Sequence, residues 1–233
     1  MLIDLHNFFK YYDEKNAKHR AAVDQLEKDL LLKAQDLLED EANWVRIYRS
    51  KEETPQATIL PVPFYPQTDN YRDANRSCNS SACAMCLEYF KPGTLKGPKG
   101  DDAYLRKVFT IGDTTDHIVQ TRVLASYGIK SSFSYSLTFA DLDRELATGR
   151  PVVIGILHRG PLSRHTGGHM VVVIGKTISG DYVVNDPYGS LNDGYTSEVI
   201  NGKGAVYKKS ELSKRWVPRG NDGWGRIFEP VKK

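Results

Sequence analysis

Three short runs in the second half constrain this chain most: Pro151–His158 (PVVIGILH), His169–Lys176 (HMVVVIGK) and Asp181–Asp186 (DYVVND). Each is β-branched, nearly continuously apolar and broken off by turn residues, the pattern of a strand buried on both faces. A Ser179-Gly180 turn separates the last two. It predicts an antiparallel pair in which the start of one strand lies beside the end of the next. The preceding part reads as helix at about Cys78–Tyr89, at Asp116–Tyr127, and at Phe139–Ala147 behind a Thr138 cap. Lys91–Asp102, with three glycines and two prolines, reads as a loop. Helices first and strands afterwards give an α+β class with segregated elements.

The first 50 residues have another texture, with no proline before Pro55 and no glycine before Gly93. Val23, Leu26, Leu30, Ala34, Leu37 and Trp44 approximate a helical stripe, with Asn16 placed to cap it and a shorter helix over Leu5–Tyr12. Such a stripe packs on the body of the protein, on a second copy, or on a partner. Four prolines in Ser50–Gln67 mark an extended connection. The expected organisation is a helical module over 1–50, a linker over 51–66 and a body over 67–233.

Composition excludes several classes. Hydrophobic residues make up 40% of 233 and mean hydropathy is −0.47, which is not the profile of a membrane-embedded protein. No apolar stretch approaches the roughly 18–20 residues of a spanning helix. A net charge of +3 is too small to point to nucleic acid. The start lacks the basic region, apolar core and small-residue site of a signal peptide, so synthesis without a secretion address is expected.

The cysteines fall together at Cys78, Cys83 and Cys86. An odd, clustered set is not a disulfide framework, and their offsets on one helix do not match paired-cysteine metal spacing. No metal and no cofactor is therefore expected. Cys78 stands where a polar loop meets a helix, so the helix dipole and free backbone N–H groups favour its thiolate. Cys83 and Cys86 lie deeper in that helix and read as small buried hydrophobes. His169 opens a strand after two glycines and suits a general base, whereas His158 and His165 read as loop histidines. The predicted strand pair sets Asp186 beside His169, where a carboxylate orients an imidazole, while Asn185 points to the other face. Gln67, eleven residues before Cys78, offers an amide donor to an oxyanion.

These residues sit in VPFYPQTDNYRDANRSCNSSACAM, GRPVVIGIL, GGHMVVVIGK and DYVVNDPYGS. In that order and spacing, from near Leu60 onward, the chain resembles the bacteriocin-leader-peptidase-like branch of the papain-like cysteine peptidases. The resemblance implies a papain-like fold, a helical half with an antiparallel sheet, carrying an N-terminal helical extension. It makes Cys78 the nucleophile, His169 the base, Asp186 the orienting residue and Gln67 the oxyanion donor, acting on a peptide. Asn79 stands where the family has glycine, and is placed with Gly168, Arg159 and Arg164 at the substrate's edge. The two arginines suit an acidic substrate such as the carboxylates of a murein stem peptide, or else belong to a solvated loop.

Two further stretches resemble phage and bacterial lytic proteins. SKRWVPRGNDGWGRIF resembles the closing segment of stand-alone members acting on cell-wall peptides, and HNFFKYYDEKNAKHRAAVDQLEKDL resembles helical modules of phage lytic proteins. Trp216 and Trp224 there serve either the core or a carbohydrate platform. The expected function is hydrolysis of peptide or amide bonds in peptidoglycan stem or cross-bridge peptides, by a phage-type lysin acting in the host periplasm or cell wall, or as a virion component. Leader-peptide processing is the alternative activity, and a virion binding protein with a degenerate site is the alternative of another class.

Overall fold

The computed structural model of the protein describes residues 21–35, 37, 59–164 and 167–230. The chain divides into two units, Met1–Thr54 and Pro55–Lys233. In the first, residues 21–35 form helix α1, whose Leu26, Leu30, Leu31 and Leu32 are all exposed. Asn16, the stretch Leu5–Tyr12 and Trp44 lie outside the described residues.

In the second unit, helices α2 (Cys78–Phe90), α3 (Gly100–Phe109) and α4 (His117–Ser126) precede strand β1 (Ser131–Leu137) and helix α5 (Phe139–Ala147). Then come β2 (Val152–Leu157), β3 (Gly168–Lys176), β4 (Tyr182–Asn185), β5 (Ala205–Tyr207), helix α6 (Lys209–Arg215) and β6 (Gly223–Phe228). The strands form one antiparallel sheet in the order β1-β6-β2-β3-β4-β5. The three apolar runs occupy inner positions, as their lack of a polar face requires. A capping box closes the start of α5: Thr138 Oγ1 accepts from the Asp141 N–H, and Asp141 accepts from the Thr138 N–H. Asp116 caps α4 through the N–H groups of Ile118 and Val119. This is the helical half and antiparallel sheet of a papain-like α+β fold.

Three elements depart from expectation. Helix α3 begins inside the segment expected to be loop. Its dipole is matched by Asp101 and Asp102 in the first turn and by Arg106 and Lys107 in the last. Gly100 opens that helix because a β carbon there would lie 2.9 Å from Tyr65 Oη. Strand β1, SSFSYSL, carries no apolar run, because a sheet edge needs only one covered face. Residues 59–66, expected as the end of a linker, belong to the core: Leu60, Val62 and Tyr65 are buried, and the Leu60 N–H donates to Ile174 O at 2.8 Å. Residues 51–58 lie outside the described ones.

Two residues of β6 organise the sheet, and one of them holds α4 to it. Arg226 of β6, fully buried, donates to Thr121 Oγ1, Ser131 Oγ and His117 O at 2.7–2.8 Å. Trp224, two residues earlier on the same strand, lies over two glycines. A β carbon at Gly155 would come within 2.3 Å of the indole, and one at Gly168 within 2.4 Å. Gly155→Ala is therefore expected to destabilise the protein by about 1–3 kcal/mol through overpacking. Urea unfolding checks this, and Gly155→Ala combined with Trp224→Leu should lose less than the two single variants summed.

Candidate active site

Helix α2 is wrapped by protein on nearly every side, with Asn79 to Leu87 all buried. At its start only Cys78 is partly exposed, and at its end Glu88, Tyr89 and Phe90 are. Ser77 at the N-cap makes no capping bond and the turn holds no acidic residue. The Ser77 hydroxyl is instead engaged by Asn70 Nδ2 at 2.8 Å. The positive end of the helix thus faces the partly exposed Cys78 with its N–H groups uncapped by side chains.

The strand pair forms as its turn implies. Val172 of β3 pairs with Asn185 of β4, so Asp186 leaves β4 beside the start of β3. His169 Nε2 meets Asp186 Oδ1 at 2.6 Å, with 3% and 0% of the two side chains exposed. Nδ1 is then the ring nitrogen left for Cys78, whose thiol His169 draws down. Asn185 does point elsewhere, donating to Val62 O at 3.1 Å.

Asp186 is held by four donors. Oδ1 also accepts from the Tyr188 N–H at 3.0 Å, and Oδ2 accepts from the hydroxyls of Tyr207 at 2.6 Å and Tyr195 at 3.1 Å. Burial, then the Asp186 charge, pushes both phenols far above their ordinary range, so they stay protonated donors. Tyr195 adopts a left-handed backbone (φ 62°), a strained conformation for an aromatic residue.

The electrostatics single out one thiol. Burial pushes Cys78 up, but the hydrogen bond and charge of His169, with the N–H groups of Met170 and Asn79, outweigh it and the net direction is down. Burial pushes Cys83 up and Cys86 well up. Burial lowers His169, yet the charge and hydrogen bond of Asp186 more than offset this and raise it to about 10. Cys78 and His169 therefore favour a thiolate–imidazolium pair at neutral pH.

The remaining candidates are more dispersed. Gln67 is buried, and its Nε2 donates one hydrogen to Ala74 O at 2.7 Å, leaving the second. Its backbone N–H donates to Pro187 O at 2.8 Å, tying its loop to the segment after Asp186. Asn79 is buried, its side chain engaged by His117 Nδ1 at 3.2 Å and Thr115 O at 3.5 Å, so it offers a ligand only its backbone. Arg159 donates to His158 Nε2 at 3.0 Å and lies over the Tyr188 ring at 4.6 Å. Arg164 is exposed, without a side-chain partner among the described residues. Gly168 serves the Trp224 ring.

Sequence reasoning missed the residues that surround the pair. His158 is not a bystander: its ring centroid lies 4.5 Å from that of His169 and 4.6 Å from that of Tyr195. Burial, then the charges of His169 and Arg159, pushes it down to about 3, so it packs on an imidazolium as a neutral ring. Tyr188, Tyr195 and Tyr207 carried no signal beyond the nearness of Tyr188 to Asp186. Among the described residues no group of three or more His, Cys, Asp or Glu side chains is arranged to hold a metal.

A partly exposed low-pKa thiol at a helix start, facing an imidazole locked on a buried carboxylate, is the constellation of a cysteine peptidase. A family model described as Peptidase_C39 like family matches residues 59–223, and the chain belongs to that family. A crystal structure described as a C39-like peptidase from Bacillus anthracis superposes with a TM-score of 0.51 at 15% identity, covering 76% of this chain and 100% of its own. The active wild-type interpain A cysteine protease of Prevotella intermedia gives 0.47 at 14% identity, over 76% and 95%. A double glycine motif protease from an AMS/PCAT transporter, in complex with the leader peptide, gives 0.46 at 16%, over 76% and 96%. No curated protein matches the chain.

Tyr207→Phe removes the shortest phenolic bond to Asp186. It should lower stability by about 1.5–3 kcal/mol, the range for a hydrogen bond to a charged group. It should also strengthen the pull of the Asp186 charge on His169 and shift the alkaline limb of the pH–rate profile upward. A stability loss with an unmoved alkaline limb would assign Tyr207 to packing alone.

Proposed function

We propose that the protein cleaves peptide or amide bonds of peptidoglycan through Cys78, as a phage-type wall hydrolase released into or carried to the host envelope. The observation that carries the chemistry is the lowered, partly exposed Cys78 thiol against His169, itself bonded to Asp186 at 2.6 Å. The Cys78 thiolate adds to the carbonyl carbon of the scissile amide. The oxyanion that forms lies against the Cys78 N–H and the free Nε2 hydrogen of Gln67. His169 gives its Nδ1 proton to the leaving amine, and a thioester remains. Water, losing a proton to His169, then attacks the thioester and restores the thiol pair. Asp186 holds the ring throughout, with its own charge fixed by two phenols and one backbone N–H.

Two features support the wall substrate. The segments SKRWVPRGNDGWGRIF and HNFFKYYDEKNAKHRAAVDQLEKDL resemble parts of lytic proteins. Arg164 is an exposed cation in the loop leading to His169, suited to a stem-peptide carboxylate. Arg159, engaged by His158 and Tyr188, is the weaker of the two for this role.

Purified peptidoglycan incubated with the protein should release new amino groups without new reducing sugar ends, and Cys78→Ala should release none. Sugar ends without amines, or activity surviving in Cys78→Ala, would contradict the reading. Arg164→Ala should raise KM for a carboxylate-bearing muropeptide by roughly 1.5- to 5-fold, the worth of an exposed ion pair. An unchanged KM would remove Arg164 from the site.

A further inference from the structure

Four aromatic rings lie in a row that touches the chain neighbours of the reacting pair, and they take no part in the chemistry above. They are anchored to the neighbours of both reacting residues. Asn79, next to Cys78, bonds the His117 ring at 3.2 Å, and Gly168, next to His169, lies under the Trp224 indole. His117 and Trp224 meet at 6.1 Å between centroids. From there Phe133 stacks on His117 at 3.6 Å and 14°, and Tyr135 meets Phe133 edge-on at 5.2 Å. The row leads outward to the sheet edge at β1, where Tyr135 is 69% exposed. His117, Phe133 and Trp224 are half-buried.

This is not an incidental patch of core. Trp216 does serve the core, at 1% exposure. Trp224 instead keeps a partly open ring, and the sheet omits two β carbons, at Gly155 and Gly168, to seat it. Burial, then the Arg226 charge, pushes His117 below its ordinary value, so it is a neutral ring at pH 7. The Arg226 guanidinium lies 5.7 Å from the Phe133 centroid and opposes a cationic guest.

We propose that this ring shelf is a subsite for the sugar next to the amide being cleaved. The proposal rests on the wall-substrate reading and gives it a place in the molecule. A pyranose presents a flat face of C–H groups that packs on neutral rings, and its hydroxyl and acetamido groups suit polar neighbours. The Tyr135 hydroxyl, at the exposed end of the row, is such a neighbour.

The test is a titration of the wild-type protein with the N-acetylated disaccharide of the glycan strand, carrying no peptide, read by tryptophan fluorescence. A saturable change that disappears in Trp224→Phe, with circular dichroism unaltered, is expected. In cleavage, Tyr135→Ala should lower the kcat/KM ratio of a disaccharide-bearing stem peptide over the same peptide without sugar by roughly 3- to 10-fold. No saturable signal together with an unchanged ratio would overturn the subsite. If the sugar binds and neither stem peptide is cut, the subsite stands and the wall-peptidase reading falls.

Discussion

The contact between His169 Nε2 and Asp186 Oδ1, at 2.6 Å and closed off from water, is what the rest of the site depends on. Taking an imidazole that deep disfavours its charged form, and only a carboxylate in direct contact reverses the sign. A buried carboxylate is itself unfavourable unless its lone pairs are met. The phenols of Tyr195 and Tyr207 and the N–H of Tyr188 meet them. The resulting imidazolium, with the uncapped turn of α2, holds Cys78 below an ordinary thiol despite its burial. Remove the carboxylate and each later step loses its cause.

Fold geometry delivers that contact economically. Antiparallel pairing of β3 and β4 through a short turn puts the second residue of one strand near the first residue past the other. Arg226 pins the start of α4 to the sheet, and Trp224 fills the space cleared by two glycines. One strand therefore holds both the residue that places α4 and the indole of the ring row. Structure and specificity share one strand, so substitutions in β6 should disturb both together.

What was legible in the sequence follows from how local the signal was. The three apolar runs announced inner strands because strands covered on both faces have no polar side to show. Their turn then placed Asp186 beside His169 without any structure. Strand β1 left no such mark: it alternates serine with Phe133 and Tyr135 at an edge. Helix α3 was hidden behind a glycine that avoids Tyr65. His158 and Tyr207 act on the His169–Asp186 pair through space, from positions 11 and 21 residues away in sequence from the member each touches. Spacing cannot reveal such partners. Arg159 illustrates the converse, a residue expected at the substrate's edge whose side chain is engaged by His158 and Tyr188.

The most direct measurement of the central claim is the pH titration of the Cys78 thiolate by its ultraviolet absorbance, in the wild type and in His169→Ala. Cys83 and Cys86, raised by burial, stay silent below the ordinary thiol range. The account predicts a thiolate that persists well below the ordinary thiol range in the wild type. In His169→Ala, where burial acts without its counterweight, the thiolate should form only above that range. An ordinary thiol titration, the same in both proteins, would contradict it.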